Sequence, residues 1–222
     1  MGFWHNRWAT QQTGWHKADF NELLVKYWPS LNTPNGCDVL VPLCGKSRDM
    51  LWLANQGHSV IGLEMVEQAI TTFFSENKLN YIIEEKTTHK IFTSKPFTIY
   101  HGNVFDIESR ALKVDAWYDR AAMIAIEPSN RGAYVEQIRR HTKPGAVGLL
   151  ITFAYPQEEM EGPPYSLDDN QVTELFSNGF KVECLENIQL DDDKDRGLSF
   201  VTSSVFKPVS YTHLRAHETT TN

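Results

Sequence analysis

Apolar positions along the chain switch repeatedly between a helical and a strand-like period. Phe20, Leu23, Leu24, Tyr27 and Trp28 fall at i, i+3, i+4, i+7 and i+8, the stripe of an amphipathic helix that Pro29 is expected to close. Asp38-Val39-Leu40-Val41 then forms a short apolar run, and Pro42-Leu43-Cys44-Gly45-Lys46 reads as a tight loop. Ser47 offers a side-chain cap for a following helix that Gly57 ends. Residues 58–63 give a second strand ending at Glu64, and Ala69, Ile70, Phe73 and Phe74 mark the next helix. The opening is a βαβ unit.

The alternation continues with strands at 98–101 and 114–118, a helix at 131–141 and a strand at 147–153 that is apolar on both faces. Strands alternating with helices predict a mostly parallel sheet covered on both sides. After a helix at 170–177 the rhythm changes. Runs 181–190 and 198–206 are consecutive strands joined by Asp191-Asp192-Asp193-Lys194-Asp195, the pattern of a hairpin at a sheet edge. No internal repeat interrupts this order.

With 222 residues, 41% hydrophobic and 22% charged, the chain suits one large globular domain. Lys and Arg number 21 and Asp and Glu 28, giving −7 and a pI near 5.6, so binding to nucleic acid is not expected. The longest apolar run, 147–154, is far short of the ~20 residues that span a bilayer, and the first residues lack the pattern of a secretory signal. No membrane association and a cytoplasmic location are expected. Cys37, Cys44 and Cys184 form no C-x-x-C pair and read as buried reduced thiols. His213 and His217 have helical ligand spacing but no third partner, so no metal is assigned.

In open α/β sheets, ligands bind beyond the carboxyl ends of the strands, where the first loop meets a helix. Glu64 lies at the end of the second strand, about 20 positions after that loop, where an acid can accept both hydroxyls of a ribose. The loop has one glycine rather than G-x-G-x-x-G, a poor cradle for a pyrophosphate. An adenosine-bearing ligand without phosphate fits better, and S-adenosylmethionine is the common one. The plain alternative is a turn with no ligand.

Six groups of residues then resemble, in order, the motifs of the thiopurine S-methyltransferases. They are Phe3-Trp4 with Trp8, Thr13-Gly14-Trp15-His16, Val41-Pro42-Leu43-Cys44-Gly45-Lys46, Gly57-His58-Ser59-Val60-Ile61-Gly62-Leu63-Glu64, Asp119-Arg120-Ala121-Ala122 with Ile126 and Pro128, and Gly162-Pro163-Pro164-Tyr165. The resemblance runs from Phe3 to Phe206. It implies a class I methyltransferase fold, a Rossmann-like three-layer α/β sandwich with a mostly parallel seven-stranded sheet and an antiparallel last strand. It also implies S-adenosylmethionine as cofactor and methyl transfer to the sulfur of a thiopurine or related thiol; a monomer is expected. By motif matching, Trp4, Trp8 and Trp15 wall the cofactor, Leu43 and Gly45 approach it, and Glu64 holds the ribose. Asn103 and Val104 match the adenine segment, and Arg120 falls between cofactor and acceptor as the catalytic candidate. Trp15 stands where some members carry phenylalanine, which alters the expected acceptor pocket.

Each role has a plainer counterpart. The tryptophans can simply seal a core, Glu64 can be an exposed strand-end charge, and Arg120 can pair with Asp119 or another acid. His16 braces the N-terminal segment and is given no catalytic part. Methyl transfer needs positioning more than side-chain chemistry, because an aromatic thiol ionises near neutral pH, so no Ser/His/Asp triad is required. Other thiols, halides and selenium or tellurium oxyanions are alternative acceptors. A nucleotide-dependent oxidoreductase is the alternative from another class, disfavoured by the single-glycine loop, and a non-catalytic binding protein is third. Residues 1–208 are expected to form the domain, with 1–30 as N-terminal lid and helix, and 209–222 to be a non-native tail.

Overall fold

The computed structural model describes residues 2–107, 112–191 and 196–212. Helices α1 (Phe3–Ala9) and α2 (Glu22–Tyr27) precede β1 (Asp38–Pro42), α3 (Asp49–Asn55), β2 (Ser59–Glu64) and α4 (Glu67–Glu76). Next come β3 (Ile82–Glu85), β4 (Lys90–Ser94), β5 (Phe97–His101), β6 (Val114–Arg120), α5 (Arg131–His141) and β7 (Thr142–Ile151). Helix α6 (Asp169–Phe176) leads into β8 (Phe180–Leu190) and β9 (Val201–Ser210).

One sheet orders the strands β3-β4-β5-β2-β1-β6-β7-β9-β8. β1 pairs in parallel with β2 and β6, β2 with β5, and β6 with β7, while β9 runs antiparallel between β7 and β8. This is the expected α/β sandwich with one correction: the sheet has nine strands among the described residues, because the β3–β4 hairpin adds two to the edge at β5. All four β3 positions are exposed and β4 buries only Phe92, so neither carries a strand signature.

The central strands are apolar throughout because both faces are covered. Along β1, Val39 and Val41 face the layer built from α2, α3 and α4, whereas Leu40 faces that of α5 and α6. β6 repeats the pattern, with Ala116 and Tyr118 on one side and Trp117 on the other. Trp117 stacks on Phe176 of α6 at 5.8 Å, and its ring lies across Gly148 of β7. A Cβ on Gly148 would meet that ring at 2.1 Å, so no larger residue fits without repacking.

Smaller expectations are also corrected. Pro29 does not close α2; the helix ends at Tyr27 and Pro29 sits in the first turn of a 3-10 segment, Trp28–Leu31, where its missing N–H costs nothing. Ser47 is not the cap residue of α3: Arg48 occupies that position, and Ser47 Oγ accepts the Asp49 N–H at 3.2 Å. Cys37 and Cys44 are buried free thiols, but Cys184 is exposed on edge strand β8. The expected break after Pro208 falls inside β9, where Val209 pairs with Val147 and Lys181, and Ser210 with Phe180. Most of the acidic 191–195 loop, and the tail from 213 with His213 and His217, lie outside the described residues. No described helix is long and apolar enough to cross a membrane.

Candidate active site

The loop after β1 turns through two left-handed residues, Leu43 at φ +47° and Gly45 at φ +52°. Leucine pays a steric cost there, so the turn is held from outside. Cys44 N–H donates to Leu63 O at 3.0 Å, which ties the loop to β2. The Glu64 carboxylate completes the hold, accepting Gly45 N–H on Oε2 and Val66 N–H on Oε1, both at 2.8 Å. Glu64 is 7% exposed, so it is no surface charge; burial pushes its pKa up, against the amide bonds that favour the ionised form. Each oxygen retains acceptor capacity beyond its one amide.

Glu64 opens into a cavity of about 230 Å³ bounded by three loops and α1. Leu43 comes from the first loop. Asn103 and Val104 come from the turn after β5, which Gly102 N–H fastens to Glu64 O at 2.9 Å and Asn103 Oδ1 stiffens by accepting Phe105 N–H at 3.1 Å. Ala125, Ile126 and Glu127 come from the loop after β6. That loop hangs on buried Asp119, which accepts Met123 N–H at 3.1 Å and the Tyr134 hydroxyl at 2.7 Å. Of the described residues that line the cavity, Glu64 and Glu127 are acidic and none is basic. Such a lining suits a cationic or neutral nucleoside and opposes a phosphate.

The three tryptophans divide the work. Trp4 lines the cavity. Trp8 does not: it is buried against Val66 and Ala69, with its ring over Gly45, where an added Cβ would meet it at 3.2 Å. Trp15 stands edge-on to Trp4 at 5.4 Å and to Trp8 at 6.1 Å, backing both. Gly45 reaches the site through its bond to Glu64.

Arg120 is not among the lining residues. Its Nε donates to Asp49 Oδ2 at 3.0 Å and its Nη1 to Trp15 O at 3.3 Å. Asp49, 1% exposed, also accepts the Tyr118 hydroxyl at 3.0 Å and Asn21 N–H at 2.8 Å. The acid paired with Arg120 is therefore Asp49 and not its neighbour Asp119. Arg120 thus fastens the tryptophan segment to the carboxyl edge of the sheet. Burial lowers the pKa of nearby His16, Lys46, Arg120 and Arg48 act the same way, and Glu76 opposes them.

Sequence reasoning did not single out Asp49, Glu127 or Asn130. Asp49 sits in the first turn of a helix, where an acid is ordinary. Glu127 and Asn130 are exposed loop residues that the fold brings to the cavity rim. Among the described residues, no group of His, Cys, Asp and Glu is arranged to hold a metal.

The sheet order, with the Glu64 cavity at its carboxyl edge, is that of the class I methyltransferase fold. A solved structure with this fold, the 1,6-didemethyltoxoflavin-N1-methyltransferase of Burkholderia thailandensis with bound S-adenosylhomocysteine, aligns at a TM-score of 0.65 and 16% identity, over 93% of this chain and 84% of that one. The sequence itself is more specific. Residues 1–211 match the thiopurine S-methyltransferase family. The thiopurine S-methyltransferase of Shewanella pealeana is 40% identical over 210 residues, covering 92% of this chain and 96% of the relative. That of Shewanella loihica is 39% identical over 212 residues, covering 93% and 97%. The chain belongs to the thiopurine S-methyltransferase family and is an S-adenosylmethionine-dependent S-methyltransferase.

Proposed function

We propose that this protein methylates the sulfur of a thiopurine or a related aromatic or heterocyclic thiol, acting as a cytoplasmic monomer. The observation that carries the reading is the Glu64 cavity: a buried carboxylate with free acceptor capacity, an aromatic wall at Trp4, and no basic residue among the described residues that line it. Glu64 would accept the ribose hydroxyls, Asn103 and Val104 would meet the adenine, Leu43 would border the cofactor, and Gly45 would act through the bond that holds Glu64. When bound, S-adenosylmethionine supplies an electrophilic methyl group on a sulfonium.

The side chains contribute position and exclusion of water. Trp4 lines the cavity, where its ring would attract a cation, and Trp15, itself packed on Trp8, braces it. Arg120 keeps Trp15 in register and has no protein partner for Nη2 among the described residues, a donor suited to an anionic thiol. Holding donor and acceptor in line can supply on the order of 7 kcal/mol, so no strong base is needed for a thiol that is already ionised.

An acceptor panel of thiopurines, alkyl thiols, iodide and selenite with labelled S-adenosylmethionine tests this. The reading expects the highest kcat/KM with the aromatic and heterocyclic thiols. Preference for iodide or selenite would move the protein to another acceptor class.

A further inference from the structure

The loop after β7 carries Gly162-Pro163-Pro164-Tyr165, and nothing so far gives it work. Its main chain is fastened from two sides. At the exit of β7, the Tyr155 hydroxyl donates to Pro164 O at 2.5 Å and Ser166 Oγ donates to Tyr155 O at 2.6 Å. From the other side Arg131, the first residue of α5, donates through Nη1 to Ser166 O at 2.8 Å and through Nη2 to Tyr165 O at 3.1 Å. Tyr165 N–H donates in turn to Ile124 O at 2.7 Å.

Arg131 is an expensive residue for this purpose. It is 2% exposed, its Nε has no hydrogen-bond partner, and no carboxylate lies within ion-pair distance of it among the described residues. Its fork meets two neutral carbonyls, and Asp168 acts on it as a charge only from beyond ion-pair distance, which offsets burial less than a paired carboxylate would. Burial accordingly lowers its pKa.

Location supplies the reason. Asn130, immediately before Arg131, lines the cofactor cavity together with Ala125 and Ile126. The Gly162 loop leaves the carboxyl end of β7, the edge at which ligands of such sheets bind and at which Arg120 ends β6. Arg131 therefore stands between the cavity wall and this loop, and its planar fork spans two successive carbonyls as a point charge does not. We propose that Arg131 is a positioning residue for methyl transfer, holding residues 162–167 against the cofactor cavity as a wall of the acceptor pocket. This rests on the reading that the acceptor enters at this edge.

The test uses Arg131→Met, which keeps bulk and loses every donor, and Arg131→Lys, which keeps charge and one donor group. S-adenosylhomocysteine affinity should stay within about twofold of wild type in both, while the acceptor KM of Arg131→Met rises about tenfold or more with a smaller change in kcat. Arg131→Lys should fall between, and hydrogen exchange at Tyr165 and Leu167 should quicken in Arg131→Met. If Arg131→Met does not fold, Arg131→Lys decides: raised acceptor KM with intact S-adenosylhomocysteine affinity supports the role, and a wild-type KM overturns it. Parallel loss of cofactor affinity, acceptor turnover and melting temperature, or faster exchange with unchanged KM, overturns it too. A wild type that binds S-adenosylhomocysteine but methylates no thiol instead overturns the reading of the acceptor, and with it the wall assigned to this loop.

Discussion

Arg120, half-buried, and Asp49, buried, 71 residues apart in sequence, form an ion pair with Nε and Oδ2 3.0 Å apart. The pair joins α3 to the end of β6 and, through Trp15 O, carries the aromatic segment that backs Trp4 at the cavity. Arg120→Ala leaves Asp49 with Tyr118 and Asn21 but no cation, and should cost about 3 kcal/mol or more of stability, because a buried charge loses its partner. Arg120→Lys keeps the charge and loses the fork, so it should be the milder variant in melting temperature. Both should lower kcat/KM more for an anionic acceptor than for a neutral one. Melting temperature, S-adenosylhomocysteine affinity and two acceptors, measured on the three proteins, check this. A uniform loss across cofactor and both acceptors would confine Arg120 to a structural role.

Asp119 gives stability a pH dependence of unusual sign. Burial pushes its pKa from the ordinary 3.8 up to about 6, outweighing the Tyr134 hydroxyl and the Met123 and Ala122 amides. In that window the folded state holds more protons than the unfolded state, so stability falls as pH rises from about 4 to about 6, by on the order of 3 kcal/mol. His141 has the opposite slope: burial, with Lys113 and Arg140, pushes it down to about 4, so its contribution fades as pH falls from 6.5. Asp119→Asn removes the first effect and leaves the second. Relative to wild type, its melting temperature should be more favourable at about pH 7.5 than at about pH 4.5. A difference of the reverse sign would mean that the native environment favours the carboxylate.

Truncation tests the chain end. Stopping after Thr212 should leave melting temperature and turnover unchanged. Stopping after Pro208 should lower the melting temperature, because it removes two β9 residues, the Ser210 Oγ bond to Lys143 O at 2.8 Å and the Tyr211 N–H bond to Gly179 O at 2.9 Å. Equal stability of the two chains would show that the end of β9 contributes nothing.

Elements were legible in the sequence where one side of the pattern is strongly apolar. α5 occupies 131–141 as expected, since Tyr134, Val135 and Ile138 share a buried face and basic residues fill its last turn. The β1–α3–β2 unit was equally plain. The β3–β4 hairpin was not, because an edge strand such as Ile82–Glu85 buries nothing and its pairing is made by backbone alone. In the site, Glu64 and the Leu43–Gly45 turn follow from strand–loop–helix grammar. The role of Asp49 does not, since only the placement of β6 beside β1 in the sheet brings Arg120 to the start of α3. Trp8 illustrates a further limit: an aromatic in a motif reads alike whether it lines a cavity or, as here, packs behind the residue that does.

Calorimetric titration decides whether Glu64 organises an S-adenosylmethionine site. Wild type should bind S-adenosylhomocysteine, and Glu64→Ala should weaken that binding by ~2 kcal/mol or more, roughly 30-fold, at the scale of hydrogen bonds to a charged group. Unchanged affinity in Glu64→Ala, or tighter binding of NAD than of S-adenosylhomocysteine to the wild type, would contradict the account.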